Sequence, residues 1–297
     1  MDLAAVAHLT AIESRVPFVN FFDGFRTSHE YQKIEAMDME DLRPLDDQKA
    51  LAEFRSRAMS PERPVARGIA ENPETFFAHR EASNKYYREI PGIVERYMQA
   101  VSKITGRKYD LFSYYGAEDA EQLIICMGSV TEAAREAIDH LMQEGRKVGM
   151  ISVHLFRPFS TKHLLAAVPK TVKRIAVLDR TKEPGAEGEP LYLDVKEAFY
   201  NHEDRPLIVG GRYGLGSADT TPTMIISVYD NLSLPEPKNH FSLGIVDDVT
   251  FESLPLEKEQ ALGGKSIFEA KFFGLGADGT VGANKNSIKI IGDNTDK

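Results

Sequence analysis

Between Glu121 and Tyr229 the chain alternates short apolar runs with longer stretches of mixed polarity. Glu121–Cys126, Lys147–Val153, Arg174–Asp179 and Leu207–Gly211 are apolar over a few residues and bounded by turn signals, which predicts buried strands. Thr131–Gln143, Thr161–Val168, Leu191–Tyr200 and Thr221–Tyr229 have helical spacing. Ser129 with Glu132 fits a capping box, and Ser160 starts the helix from Thr161. Apolar strands alternating with helices imply an α/β fold: a doubly wound parallel sheet covered on both faces.

The flanks follow a different pattern. A short helix, Leu3 to Ile12, precedes an apolar strand, Val16 to Asp23, and Thr27 with Glu30 fits a second capping box. Beyond a Pro- and Arg-rich connection, Met59 to Arg67, a helix from Ile93 to Thr105 ends at Gly106, which suits a C′ residue. Asn231 to Gln260, with Pro235 and Pro237, reads as a linker. A strand-like segment, Ser266 to Phe273, then enters Gly274-Leu275-Gly276-Ala277-Asp278-Gly279, followed by a helix from Val281 to Ile291. Three units result: residues 1–106, 107–232 and 233–297.

Charge and composition narrow the partners. A net charge of −9 argues against nucleic acid, whose phosphates need a basic surface. No apolar stretch reaches the eighteen or so residues that would span a bilayer, and the N-terminus lacks a basic n-region. These features predict a cytoplasmic protein without membrane contact. The single cysteine, Cys126, lies in an apolar strand and reads as a core thiol. One cysteine cannot hold an iron–sulfur cluster or structural zinc, and the eight histidines show no metal-ligand spacing, so no metal ligand is assigned.

No P-loop, nucleophile elbow or HExxH motif is present, and no catalytic residue is assigned. Three loops at strand ends carry the candidate chemistry, because open α/β sheets place ligands there. Gly128-Ser129 reads as a ligand loop or an ordinary turn. Asp179–Gly185, near Gly211–Gly216, reads as a ligand loop or, preferably, a surface pressed against another domain. The G-x-G-x-x-G loop supplies backbone N–H groups at a helix start, and Lys285 adds a cation one turn on. Its alternative is a tight turn needing glycine for packing, and Asp278 would repel a phosphate unless it points away. A dinucleotide fold would continue through a second strand, yet only twelve residues follow Lys285. The loop is therefore expected to be a half-motif within something larger.

Phe21-Phe22-Asp23-Gly24-Phe25-Arg26-Thr27-Ser28-His29-Glu30, Asn72-Pro73-Glu74 with Arg80-Glu81-Ala82, Met127-Gly128-Ser129, Leu155-Phe156-Arg157-Pro158-Phe159 and Gly274–Lys285 together resemble pyruvate:ferredoxin (flavodoxin) oxidoreductases, in order along the whole chain. The resemblance implies the C-terminal part of a pyrimidine-type thiamine diphosphate domain at 1–106, then a transketolase C-terminal-like α/β domain at 107–232. It also implies, at 233–297, the truncated start of a γ-type domain associated with coenzyme A. Such enzymes oxidatively decarboxylate pyruvate to acetyl-CoA and pass electrons to ferredoxin or flavodoxin, using thiamine diphosphate, Mg and iron–sulfur clusters. This chain is expected to be an internal fragment binding none of these cofactors alone, inactive by itself, and serving as scaffold and dimer surface. Gly276, Gly279, Thr280, Gly282 and Lys285 are expected to contact coenzyme A in the complete enzyme. A stand-alone subunit that recruits partner chains is the alternative; a free-standing dinucleotide-binding protein is the third reading.

Overall fold

The computed structural model describes residues 1–65, 68, 70–260, 262 and 270–295. The elements are α1 (Asp2–Ser14), α2 (Arg26–His29), α3 (Met39–Leu42), α4 (Gln48–Ser56), α5 (Pro73–Ala82), α6 (Asn84–Thr105), β1 (Phe112–Gly116), β2 (Gln122–Cys126), α7 (Val130–Gln143) and β3 (Val148–Val153). Next come α8 (Thr161–Ala167), β4 (Arg174–Asp179), α9 (Pro190–Phe199), β5 (Leu207–Arg212), α10 (Pro222–Ser233), β6 (Phe241–Ser242) and α11 (Thr280–Asn294).

One six-stranded sheet runs in the order β1-β3-β2-β4-β5-β6. All pairings are parallel except β1 with β3, which is antiparallel. The expected α/β sheet is therefore present, but mostly rather than wholly parallel. The period of two along each strand splits the core. Leu123, Ile125, Ile175 and Val177 enter one cluster with α1, α6 and α9. Ile124, Cys126, Ala176 and Leu178 enter the other with α7 and α10. Both faces are thus dry, which is why the central strands read as continuous apolar runs.

Helix α6 begins at Asn84, not Ile93, and carries Pro91 in its interior. Proline there removes a hydrogen bond and crowds the preceding turn. The packing outweighs this: Ile90, Val94, Tyr97, Met98 and Val101 form a buried stripe at helical spacing against α1. Glu13 on α1 accepts a hydrogen bond from Tyr97 Oη at 2.6 Å and pairs with Arg96. Gly106 closes the helix as expected, with φ 71° and its N–H on the Ser102 carbonyl.

Several expected elements differ. Residues 16–23 form no strand, because no strand among the described residues lies beside them to complete a ladder. Neither capping box forms. Thr27 lies inside α2, and Ser129 makes no side-chain cap; the Glu132 N–H reaches the Ser129 carbonyl instead. The antiparallel edge strand β1 was not anticipated. Helix α10 runs past Tyr229 to Ser233, because Leu232 completes its buried face. The segment expected as a linker from Asn231 contributes β6, whose Phe241 is fully buried, along with buried Leu243 and Leu254. Of the strand expected at Ser266 to Phe273, residues 266–269 lie outside the described residues and 270–273 are irregular. Helix α11 matches its expected position within a few residues.

Candidate functional site

From β2 the chain crosses through α7 to β3 on one side; from β4 it crosses through α9 to β5 on the other. The carboxyl ends of β2 and β4 therefore flank a topological switch point, where open α/β sheets form a crevice. Two of the sequence-predicted loops meet here. Between them lies a third element that the strand pattern did not place, the carboxylate of Asp23.

Asp23 accepts a hydrogen bond from the Ser129 N–H at 2.5 Å and pairs with Arg180 Nη1 at 2.8 Å. Arg180 in turn donates from Nε to the Gly214 carbonyl at 2.9 Å. Three loops are thus tied by one carboxylate and one guanidinium. Gly128 has φ +82°, and a Cβ there would come within 2.6 Å of Asp23 Oδ2, so glycine is required both by conformation and by the approaching carboxylate. Burial alone would raise the Asp23 pKa. The Ser129 and Arg180 hydrogen bonds and the Arg180 charge outweigh it and hold the group below the usual carboxylate range.

The neighbouring Asp179 behaves in the opposite way. It is buried at the end of β4 and accepts the Leu191 and Tyr192 N–H groups at the start of α9, at 3.0 and 3.1 Å. Burial pushes its carboxyl up to about 6, against those hydrogen bonds and with help from Glu189 and Asp194. Tyr213 donates to the Met127 carbonyl at 3.2 Å, and burial raises its phenol well above the ordinary value. His154 sits with Nδ1 2.8 Å from the Asp110 carbonyl, which makes Nδ1 the donor and leaves Nε2 facing Ser152 Oγ at 3.4 Å. Burial lowers its pKa, so it is neutral at pH 7. Asp23, Ser129, Ser152, His154, Asp179, Arg180 and Tyr213 all line a cavity of about 500 Å³, whose remaining walls are largely apolar. Cys126 is buried beneath, its thiol pushed up to about 12 by burial, as a core thiol should be.

The glycine loop stands at a different place. Gly276 and Gly279 have φ +110° and +86°, conformations that favour glycine, and Gly279 caps the 15-residue α11. The five predicted residues divide between two elements: Gly276 and Gly279 in the loop, Thr280, Gly282 and Lys285 on the helix. Asp278 does not point away. Its carboxylate accepts the Leu275 N–H at 2.6 Å and the Thr280 N–H at 3.0 Å. The Thr280 side chain, with those two backbone bonds, pulls its pKa down to about 2. The anion at this helix start is therefore the protein's own, and a phosphate would have to displace it. Lys285 Nζ lies over the Tyr31 ring at 5.3 Å, and Lys33 Nζ holds the other end of α11 through the Gly292 and Thr295 carbonyls at 2.8 and 3.0 Å.

The segment from α2 to Lys33 connects the two places. Thr27, Glu30 and Gln32 line a second cavity, of about 350 Å³, with Ser129, Arg180 and Tyr213, while Tyr31 and Lys33 hold α11. Among the described residues no cluster of three or more His, Cys, Asp or Glu side chains could hold a metal ion. None of their helices is long and apolar enough to cross a membrane. Sequence reasoning assigned no role to Asp23, Arg180, Asp179 or His154 singly. The available signal was the Asp23-Gly24 turn after an aromatic run, with a charged pair, Asp179-Arg180, ending a strand.

Residues 1–99 match the family model described as pyruvate flavodoxin/ferredoxin oxidoreductase, thiamine diP-binding, and residues 120–225 match pyruvate:ferredoxin oxidoreductase core domain II. The chain is 59% identical over all of its length to a pyruvate-flavodoxin oxidoreductase of Enterobacter agglomerans and 60% identical over 99% to that of Klebsiella pneumoniae. It is 56% identical over 100% of its length to a pyruvate:ferredoxin oxidoreductase of Moorella thermoacetica. In each case it spans 25% of the relative's length.

Proposed function

The chain belongs to the pyruvate flavodoxin/ferredoxin oxidoreductase family, and from this we propose that it forms part of an enzyme that oxidatively decarboxylates pyruvate to acetyl-CoA. The observation that carries this reading is the identity of 56–60% over essentially every residue with relatives of that name. The enzyme's electrons would pass to ferredoxin or flavodoxin, and it would work as a dimer. Thiamine diphosphate, Mg and iron–sulfur clusters would be held by other parts of the enzyme. A buried Cys126 offers no cluster ligand, so no electron-transfer step is routed through this chain.

Within that enzyme, residues 1–106 would be the end of the pyrimidine-type thiamine diphosphate domain, 107–232 the transketolase C-terminal-like domain and 233–297 the start of the coenzyme A-associated domain. Coenzyme A phosphates would be met by the amides of Gly276, Gly279, Thr280 and Gly282 and by the charge of Lys285. The left-handed glycines and the helix start suit an anion. Binding would require Asp278 to turn out of the loop and Lys285 to leave Tyr31.

The test uses the purified chain with pyruvate, coenzyme A, thiamine diphosphate and an acceptor dye, beside the same chain supplemented with the remaining portion of a relative. No turnover alone and turnover on supplementation is expected. Turnover by the chain alone would overturn the scaffold reading. In the complete enzyme, Lys285→Ala should raise the coenzyme A KM about tenfold with little change in the pyruvate KM; an unchanged coenzyme A KM would remove the residue from that site.

A further inference from the structure

Residues 19–27 cross the carboxyl ends of β2, β3 and β4 and wall the 500 Å³ cavity from outside, through Val19, Phe21, Phe22, Asp23 and Thr27. The segment is irregular up to the four-residue α2, so no ladder holds it down. Its apolar side chains face mostly outward: Phe21, Phe22 and Phe25 are 65–71% exposed. Asp23 is half-buried at the sheet edge, where it holds Ser129 and Arg180, and Arg180 in turn holds the Gly214 carbonyl. Directly after it, Gly24 is free of steric neighbours. Phe25 follows with φ 57° and ψ −89°, a strained geometry for a residue with a Cβ, steadied by Ser28 Oγ and His29 Nδ1 on its carbonyl at 2.9 and 2.5 Å.

A strained turn beside an unobstructed glycine persists only where surrounding contacts over-determine it. The turn itself is steadied locally by Ser28 and His29, while the segment before it is held at the sheet edge by Asp23 on Arg180 and Ser129. We infer that residues 19–27 are a strap closed over the switch-point crevice, with the Asp23–Arg180 pair as its latch and Gly24-Phe25 as its pivot. Opening moves Asp23 away from Ser129 and Arg180, relaxes Phe25 and widens the mouth of the cavity, which is already partly open to solvent. The strands beneath do not take part, because their ladders and both core clusters are complete without the strap. The inference does not depend on any bound ligand or on the coenzyme A reading.

Hydrogen exchange followed by mass spectrometry on the whole chain tests it, comparing the unsubstituted protein with Asp23→Asn, Arg180→Ala and the double variant. Asn preserves the volume of Asp23, so the fold should survive. Each single variant should speed exchange at Ser129, whose N–H is bonded to Asp23, about tenfold, with β2 and β4 unchanged. The double variant should add little to either single one, since both break the same latch. Unchanged exchange at Ser129 in Arg180→Ala, which leaves the Asp23 acceptor in place, would overturn the inference. So would an equal rise in β2 and β4, which would make Asp23 a prop of the core rather than a latch, and so would fully additive effects.

Discussion

Asp23 and Arg180, 157 positions apart in the sequence, form a 2.8 Å ion pair across the carboxyl ends of β2 and β4. Neither is fully exposed, and each has a second partner: the Ser129 N–H for the carboxylate and the Gly214 carbonyl for the guanidinium. Such a pair tolerates the loss of one member poorly, because the other charge remains partly desolvated.

Gly128→Ala should destabilise the chain. It forces an L side chain to φ +82° and pushes a Cβ into Asp23 Oδ2. A loss of about 1–3 kcal/mol is expected, seen as a lower urea midpoint with an unchanged m-value. In an Asp23→Gly background the clash is gone and only the conformational cost of about 1 kcal/mol should remain. An equal loss in both backgrounds would mean that Asp23 does not crowd Gly128.

Asp179 and Asp23 should tilt stability in opposite directions with pH. The folded pKa of Asp179 is raised to about 6, so the native state holds a proton that the unfolded chain has released. Its contribution favours folding below the unfolded value near 4 and is lost as pH rises through 6, amounting to at most about 3 kcal/mol. Asp23 is held low, so its contribution is present above pH 4 and lost as pH falls through its folded value. Urea unfolding of Asp179→Asn at pH 4.5 and pH 7 should give a smaller pH 4.5 advantage than in the unsubstituted chain; an identical difference would contradict the raised pKa.

Gly211→Ala should detach the segment around β6. A Cβ on Gly211 would overlap the ring of Phe241, which is fully buried. A loss of about 2–4 kcal/mol is expected, of the same order as removing the ring by Phe241→Ala. Limited proteolysis should then cut between residues 234 and 256 before the sheet core. Uncut protein with an unchanged melting temperature would show that this stretch packs less tightly than its burial implies.

Asp278→Asn should make the start of α11 a better anion site. The carboxylate now fills the Leu275 and Thr280 N–H groups, and a neutral amide of the same volume holds them more weakly and does not repel an external phosphate. In the complete enzyme the coenzyme A KM should fall severalfold, and the gain should vanish with Lys285→Ala added. A rise in KM would instead make Asp278 a residue that shapes the loop for its ligand.

The central sheet was legible because its residues report their own environment. Leu123-Ile124-Ile125-Cys126 is apolar on both faces, and only a strand covered on both sides needs that. Gly106 and Gly279 likewise marked helix ends through backbone conformations that glycine favours. β1 was missed because Phe112-Ser113-Tyr114-Tyr115-Gly116 is an edge strand, partly exposed and without that double signal. Val16–Asp23 misled for the converse reason: its partly buried Val16 and Phe18 pack on the core beside α1 rather than pairing in a ladder.

By itself, then, the sequence determined the α/β class, the strand and helix order from Glu121 to Tyr229 and the family, because local periodicity and motifs are written in neighbouring residues. The tertiary structure alone decided that Asp23 locks the switch-point loops and that Lys285 rests on Tyr31. These pairings join residues as far apart as 254 positions, Tyr31 and Lys285. No local pattern encodes them: whether a carboxylate awaits a ligand or already satisfies a backbone N–H depends on which distant segment the folded core brings to it.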